Sequence, residues 1–200
     1  SARFMEQPGC DNCILDGNPL HAEQLEIVAM LGGAHAVNVV IDEERRISLA
    51  NFGEVVESHL KAVDHVRAYA EVAVAERFAT VVTSAAGYPL DKTYYQTVKG
   101  MVGPLDILAP GGTLVIASAC SEGMGSAEYV ASQKRLIERG AEQFMRDIEF
   151  KSHAAVDEWQ TEMQLKASRV GAIHLFTEGL SADERRLTGV HMINSVEQAL

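Results

Sequence analysis

Cysteine is scarce in this chain, with three in 200 residues. That number builds no disulfide framework and fits a reducing, cytoplasmic setting. Long apolar runs are lacking as well. None approaches the roughly 18–20 residues of a membrane span, so the sequence reads as a soluble protein. Basic residues are outnumbered 17 to 28, for a net charge of −11. No Lys/Arg block stands out, and a nucleic-acid backbone would meet repulsion over most of such a surface. The seven histidines (His21, His35, His59, His65, His153, His174 and His191) form no H-x-x-x-H or comparable pair. The sequence therefore offers no histidine metal cluster and no hydrolytic triad.

What is present suffices for a fold. With 47% hydrophobic residues, the chain can bury a full core without staples. Residues 1–17, with Pro8, Gly9 and Gly17, read as an arm or linker, and residues 18–200 as one α/β domain. The first residue is Ser1, and the capping-box pattern Ser195-Val-Glu-Gln198 has only two residues after it. Both ends are accordingly read as cut from a longer protein. The sequence upstream of Ser1 would be the most informative addition.

Asn18-Pro19 starts a helix to about Leu31, with Leu20, Ile27 and Leu31 near one face. Val37–Ile41 and Ile47–Phe52 form a hairpin, and Glu54 to Ala70 is an amphipathic helix. Strand and helix then alternate. Strands are expected at 78–83, 113–118, 173–176 and 190–193, and helices at 91–102, 126–138, 141–151 and 156–170. Ser181-Ala-Asp-Glu184 caps a further short helix. The pattern predicts an α/β layered fold: a mostly parallel sheet flanked by helices, with a β-hairpin near the N-terminus.

Two strands each end in a glycine-bearing loop, Ser84-Ala-Ala-Gly-Tyr-Pro-Leu-Asp91 and Ser118-Ala-Cys-Ser-Glu-Gly-Met-Gly125. In open parallel sheets, ligands bind beyond the carboxyl ends of the strands. On the helix between the loops, Tyr94, Val98, Met101, Val102 and Leu105 mark the buried stripe, at about 100° per residue. Lys92, Tyr95, Gln96 and Lys99 fall off it on one flank, which suits either a solvated face or an anionic, oxygen-rich ligand. Asp91 reads as the helix N-cap, and Gly87 and Pro89 as turn residues. Gly123-x-Gly125-Ser126 imitates a dinucleotide loop, but Glu128 stands where the third glycine belongs. Glu122 reads as a solvated loop carboxylate or as a base.

Cys10-x-x-Cys13 has metal-ligand spacing without a second pair. Cys120 is either a reactive thiol or a partly buried structural one. Trp159 lies on a stripe with Val156, Met163 and Val170, as a core residue or as a wall of the cleft. His174 reads as structural.

Gly87-Tyr-Pro-Leu-Asp91, Tyr95-Gln-x-Val-Lys-Gly100 and Ala117-Ser-x-Cys-x-Glu-Gly-x-Gly125 together resemble the C-terminal half of the nickel-pincer-nucleotide lactate racemases. Asp16-Gly-Asn-Pro-Leu-His21 and Asp157-Glu-Trp159 extend the likeness over essentially the whole chain. The resemblance implies a racemase or epimerase of 2-hydroxy acids. Hydride leaves the substrate Cα for a nickel-pincer nucleotide while a histidine takes the hydroxyl proton. It also implies that the catalytic histidines, the nickel-binding histidine and the cofactor-attaching lysine lie in an N-terminal half outside these residues. No histidine here inherits a role, and no metal ligand is expected. By motif position Tyr95, Gln96 and Lys99 line the cofactor, and Lys99 and Trp159 face the substrate. The residues also admit a nucleotide-binding domain of an NAD-type dehydrogenase, or a non-catalytic interaction domain with an acidic docking surface.

Overall fold

The computed structural model describes residues 2–199. Among them no helix is long and apolar enough to cross a membrane. The contacts divide the chain into two compact units, Phe4–Val74 and 75–200 joined by residues 1–3. The boundary at 74/75 is one that the reading of a single domain over 18–200 did not mark.

Helix α1 (Ala2–Met5) is divided between the units at Arg3/Phe4, and in the first unit α2 (Pro19–Met30) follows, capped by the Asn18 side chain. Pro19 suits the first helical position because its missing N–H would be orphaned there anyway. The expected apolar face of α2 is not covered: Leu20, Ile27 and Leu31 are all exposed. β1 (His35–Ile41) pairs antiparallel with β2 (Ile47–Glu54), and α3 (Val55–Ala70) packs on the hairpin. Glu54 caps α3 by accepting from the Val56 and Glu57 amides.

The second unit carries the main core. Its sheet runs β3 (Phe78–Ser84), β4 (Leu108–Ala117), β5 (Gly171–Phe176), β6 (His191–Ile193), all parallel and in chain order. The helices are α4 (Tyr94–Val102), α5 (Ala127–Arg139), α6 (Ala141–Glu149), α7 (Glu158–Val170) and α8 (Ala182–Thr188). Val81, Leu114, Ile116, Ile173 and Leu175 of the strands pack with Val98, Met101 and Tyr129. The α4 stripe read from the sequence is therefore the buried one.

Three expectations are corrected. Helix α4 begins at Tyr94 rather than Asp91, because Thr93 is its N-cap and takes the Gln96 amide. β4 starts five residues earlier than Thr113, at Leu108, and its register with β3 shifts between Phe78 and Thr80. The expected C-terminal helix runs into Leu200, outside the described residues, and 196–199 form one 3-10 turn. The Ser181 capping box is present as expected.

Helix α7 is polar yet buried. Tyr94 Oη lies 3.0 Å from both Gln164 Oε1 and the Thr188 carbonyl, and Gln133 Nε2 donates to Gln164 Oε1 at 2.7 Å. Gln133 also donates to Tyr129 Oη. Burial raises the hydroxyl pKa of Tyr94 and Tyr129, so both stay protonated as this network requires.

Candidate active-site wall

The two loops at the carboxyl ends of β3 and β4 are laced together by backbone bonds. Cys120 N–H donates to the Asp91 carbonyl at 2.8 Å, and Glu122 N–H to the Lys92 carbonyl at 2.7 Å. The Tyr94 and Tyr95 amides donate in turn to the carbonyls of Gly123 and Met124. Asp91, expected as a cap, instead accepts from the Ala119 amide across the loops at 3.1 Å. These bonds fix where the first turn of α4, and hence Tyr95, stands relative to the second loop.

Beyond the strand ends lies a cleft of about 570 Å³, lined by Ser84, Gly87, Asp91, Ser118, Glu178 and Gly179 among others. A second cavity of about 430 Å³ is lined by Thr93, Tyr95, Glu122, Gly125, Ser126 and Asp157. Tyr95 links this second cavity to the other predicted residues. Its ring meets Trp159 edge-on at 6.1 Å between centroids, and Lys99 Nζ stands 5.9 Å from its centroid. A cation at that distance over a phenol face is attracted by the ring quadrupole.

Tyr95, Lys99 and Trp159 are thus brought together. Gln96 is half-buried on the same helix, three residues before Lys99. Trp159 is not a core residue: it is 41% exposed, because the tucked-in face of α7 is made by Gln160, Gln164 and Ala167. Met163 and Val170 of its sequence stripe do pack on the core, whereas Val156 is exposed.

Two lysines of α4 and its approach differ in their surroundings. Lys92 forms an ion pair with Glu122, so that carboxylate is neither free nor merely solvated. Lys99 is exposed and meets no carboxylate among the described residues. An ammonium over the Tyr95 ring, with no carboxylate partner among the described residues, suits a flat or carboxylate-bearing anion.

Gly123 and Gly125 serve protein packing. A Cβ at Gly123 would come within 2.5 Å of Glu184 Oε1, and one at Gly125 within 3.0 Å of the Tyr95 Cβ. Ser126 caps α5 by accepting from the Tyr129 amide. This loop therefore holds side chains where a dinucleotide loop would leave its glycines open to a phosphate.

Other candidates find plain positions. Cys120 is fully buried, with its sulfur 3.3 Å from Thr97 Oγ1, as a structural thiol. Cys10 is buried and Cys13 exposed, with no disulfide between them. Among the described residues no group of three or more His, Cys, Asp or Glu side chains is placed to hold a metal. His174 sits in β5, its ring 5.2 Å from that of His191 in β6.

Two residues of this wall, Gln160 and Tyr129, escaped the sequence reading, and Asp157 entered it only within the Asp157-Glu-Trp159 motif, with no role of its own. Gln160 Nε2 donates to the Tyr95 carbonyl at 2.6 Å. Tyr129 packs edge-on to Tyr95 at 5.2 Å. Asp157, in the left-handed region at φ 60°, accepts from Ser126 Oγ and from the Tyr95 hydroxyl. Burial, then the Asp157 charge and this hydrogen bond, raise the Tyr95 pKa and keep the phenol a donor.

The residue after Asp157 anchors the helix that carries Trp159. Burial disfavours charge on Glu158, but Arg135, Lys151 and the Ala155 amide outweigh it and hold its pKa below the usual carboxylate value. A depressed folded pKa contributes stability above the unfolded value, about 4.3, that is lost as pH falls through the folded one. Glu158→Gln is therefore expected to flatten the loss of stability between pH 6 and 3, as read by urea unfolding at each pH. An unchanged slope would show that the ion pair contributes nothing.

The comparisons agree with this architecture. The family model described as the lactate racemase C-terminal domain matches residues 74–200, starting one residue before the long segment of the second unit. A lactate racemase of Thermoanaerobacterium thermosaccharolyticum is 35% identical over 128 residues, covering 64% of this chain and 30% of that protein. One from Lactiplantibacillus plantarum is 28% identical over 129 residues, with the same shares. The solved lactate racemase apoprotein from T. thermosaccharolyticum superposes with a TM-score of 0.88 at 25% identity, over 99% of this chain and 47% of its own. The chain thus spans about half of that solved relative, and its matched region about a third of the curated ones. With this sheet, these loops and a family model over more than half its length, the chain belongs to the lactate racemase C-terminal domain family.

Proposed function

We propose that the Tyr95–Lys99–Trp159 face is one wall of the active site of a 2-hydroxy-acid racemase or epimerase. The observation that carries it is an ammonium with no carboxylate partner among the described residues, set over a phenol that meets a half-exposed indole, in a chain of net charge −11. A cation left unneutralised in so acidic a chain suits an anionic ligand.

Lys99 holds an anionic oxygen of the 2-hydroxy acid. Trp159 closes the apolar side, and Tyr95 and Gln96 line the cofactor. Two aromatic rings, an amide and an ammonium fit a flat, anionic nucleotide in chemistry and charge. The nickel-pincer nucleotide of the family, when bound, supplies the acceptor for the substrate hydride. The residues that anchor it and the general bases belong to polypeptide outside these 200 residues, as the resemblance implies. The chain alone is accordingly expected to bind weakly and to turn over nothing.

Trp159→Ala in the full-length enzyme tests the wall. Loss of an apolar surface that touches ground and transition states alike raises KM and leaves kcat nearly unchanged. A rise of about tenfold in the KM for lactate is expected, read by chiral chromatography of the product. An unchanged KM would remove Trp159 from the substrate cleft.

A further inference from the structure

The unit Phe4–Val74 has almost no interior of its own. Among its described residues, Cys10 is the only buried apolar side chain. A segment of some seventy residues without a core does not offset its conformational entropy. A two-stranded hairpin adds little, since it is marginal alone.

The unit nevertheless has the makings of a core. Strand β1 alternates strictly, so His35, Val37, Val39 and Ile41 share one face. Register places Val37 opposite Phe52, Val39 opposite Ala50 and Ile41 opposite Ile47. The other face meets α3, where Asn38 Nδ2 donates to Ser58 Oγ at 2.9 Å. On the outer face Val37, Val39, Ile41, Ile47 and Phe52 are between 49% and 72% exposed. A contiguous apolar patch on a sheet marks an interface rather than a free surface.

Two occupants come into question, a second copy or further chain. The unit holds four basic and twelve acidic residues, and 4 − 12 gives −8. Facing copies would therefore repel at short range. The solved relative matches 99% of this chain with only 47% of its own, so it carries as much polypeptide again.

We propose that the outer face of the β1–β2 hairpin docks the half of a lactate racemase chain that lies outside the matched region. This inference rests on the reading of the chain as part of a full-length racemase. The docked half supplies the missing core of the 4–74 unit and ties it to the polypeptide that bears the catalytic bases.

The test is thiol labelling of Val39→Cys, and separately Ile47→Cys, in the full-length protein. Each is compared with the same protein unfolded in urea. The expected result is labelling on the order of a hundredfold slower or more in the native protein at both positions. Native labelling within a few-fold of the unfolded rate would overturn the proposal. So would a dimer of the 200-residue chain, seen by sedimentation, in which the same cysteines are already shielded. Labelling reads no turnover. A native racemase with an open face sinks the docking surface and leaves the proposed activity standing, and a shielded face on an inactive protein does the reverse.

Discussion

Gly179→Ala is expected to lower the melting temperature by about 4–8 °C, the equivalent of roughly 2 kcal/mol in a domain of this size. The cause is space rather than backbone conformation. A Cβ at this position would stand 2.3 Å from the Ala119 carbonyl oxygen and 2.4 Å from that of Cys120. Both neighbours are backbone, so no flexible side chain can swing aside. The 177–180 turn is itself held, since Thr177 Oγ1 donates to the Ala119 carbonyl and Arg185 donates to the carbonyls of Thr177 and Leu180. The added methyl must therefore push the 119–120 loop, which is bonded to Asp91 and through it to the start of α4. Gly103→Ala is the control, because its nearest neighbour lies 3.7 Å away. Differential scanning calorimetry of both variants decides the matter. A Gly179→Ala protein that melts with the wild type would mean the loops are looser than their hydrogen bonds imply.

The second large effect is on turnover. Lys99→Ala in the full-length enzyme is expected to lower kcat/KM by about 10²–10³-fold, the usual loss when a preorganised charged donor is removed from a reacting group. The fold should barely notice, since the Lys99 side chain is exposed and stands over the Tyr95 ring without an ion-pair partner among the described residues.

Local rules carried much of the architecture. The α4 stripe, the hairpin and the cap at Ser181 follow from periodicity and hydrogen-bonding side chains within a few residues of one another. Where the reading departed from the structure, longer-range partners decided. Asp91 and Thr93 are both good caps two residues apart, and what separates them is the Ala119 amide, 28 residues on, which takes the Asp91 carboxylate. Hydrophobic periodicity left Trp159 open between core and cleft wall, and what decides it is that α7 buries Gln160 and Gln164, whose side chains bond the Tyr95 carbonyl and Tyr94 with Gln133 respectively. A buried glutamine is legible only once its partners are in place. The site followed the same division. The flank carrying Tyr95, Gln96 and Lys99 came from helical angle, and its meaning from motif order. Gln160, which holds Tyr95 from α7, gave no local signal, and Asp157, just before that helix, was visible only as part of the Asp157-Glu-Trp159 motif.

The central claim is that this face meets an anionic substrate. Its most direct test is racemisation of L-lactate by the full-length enzyme carrying Lys99→Ala, with Lys99→Arg beside it and the melting temperature of each recorded. The account predicts a loss of about 10²–10³-fold in kcat/KM for the alanine variant, partial recovery with arginine, and unchanged melting. Wild-type turnover by Lys99→Ala would contradict it.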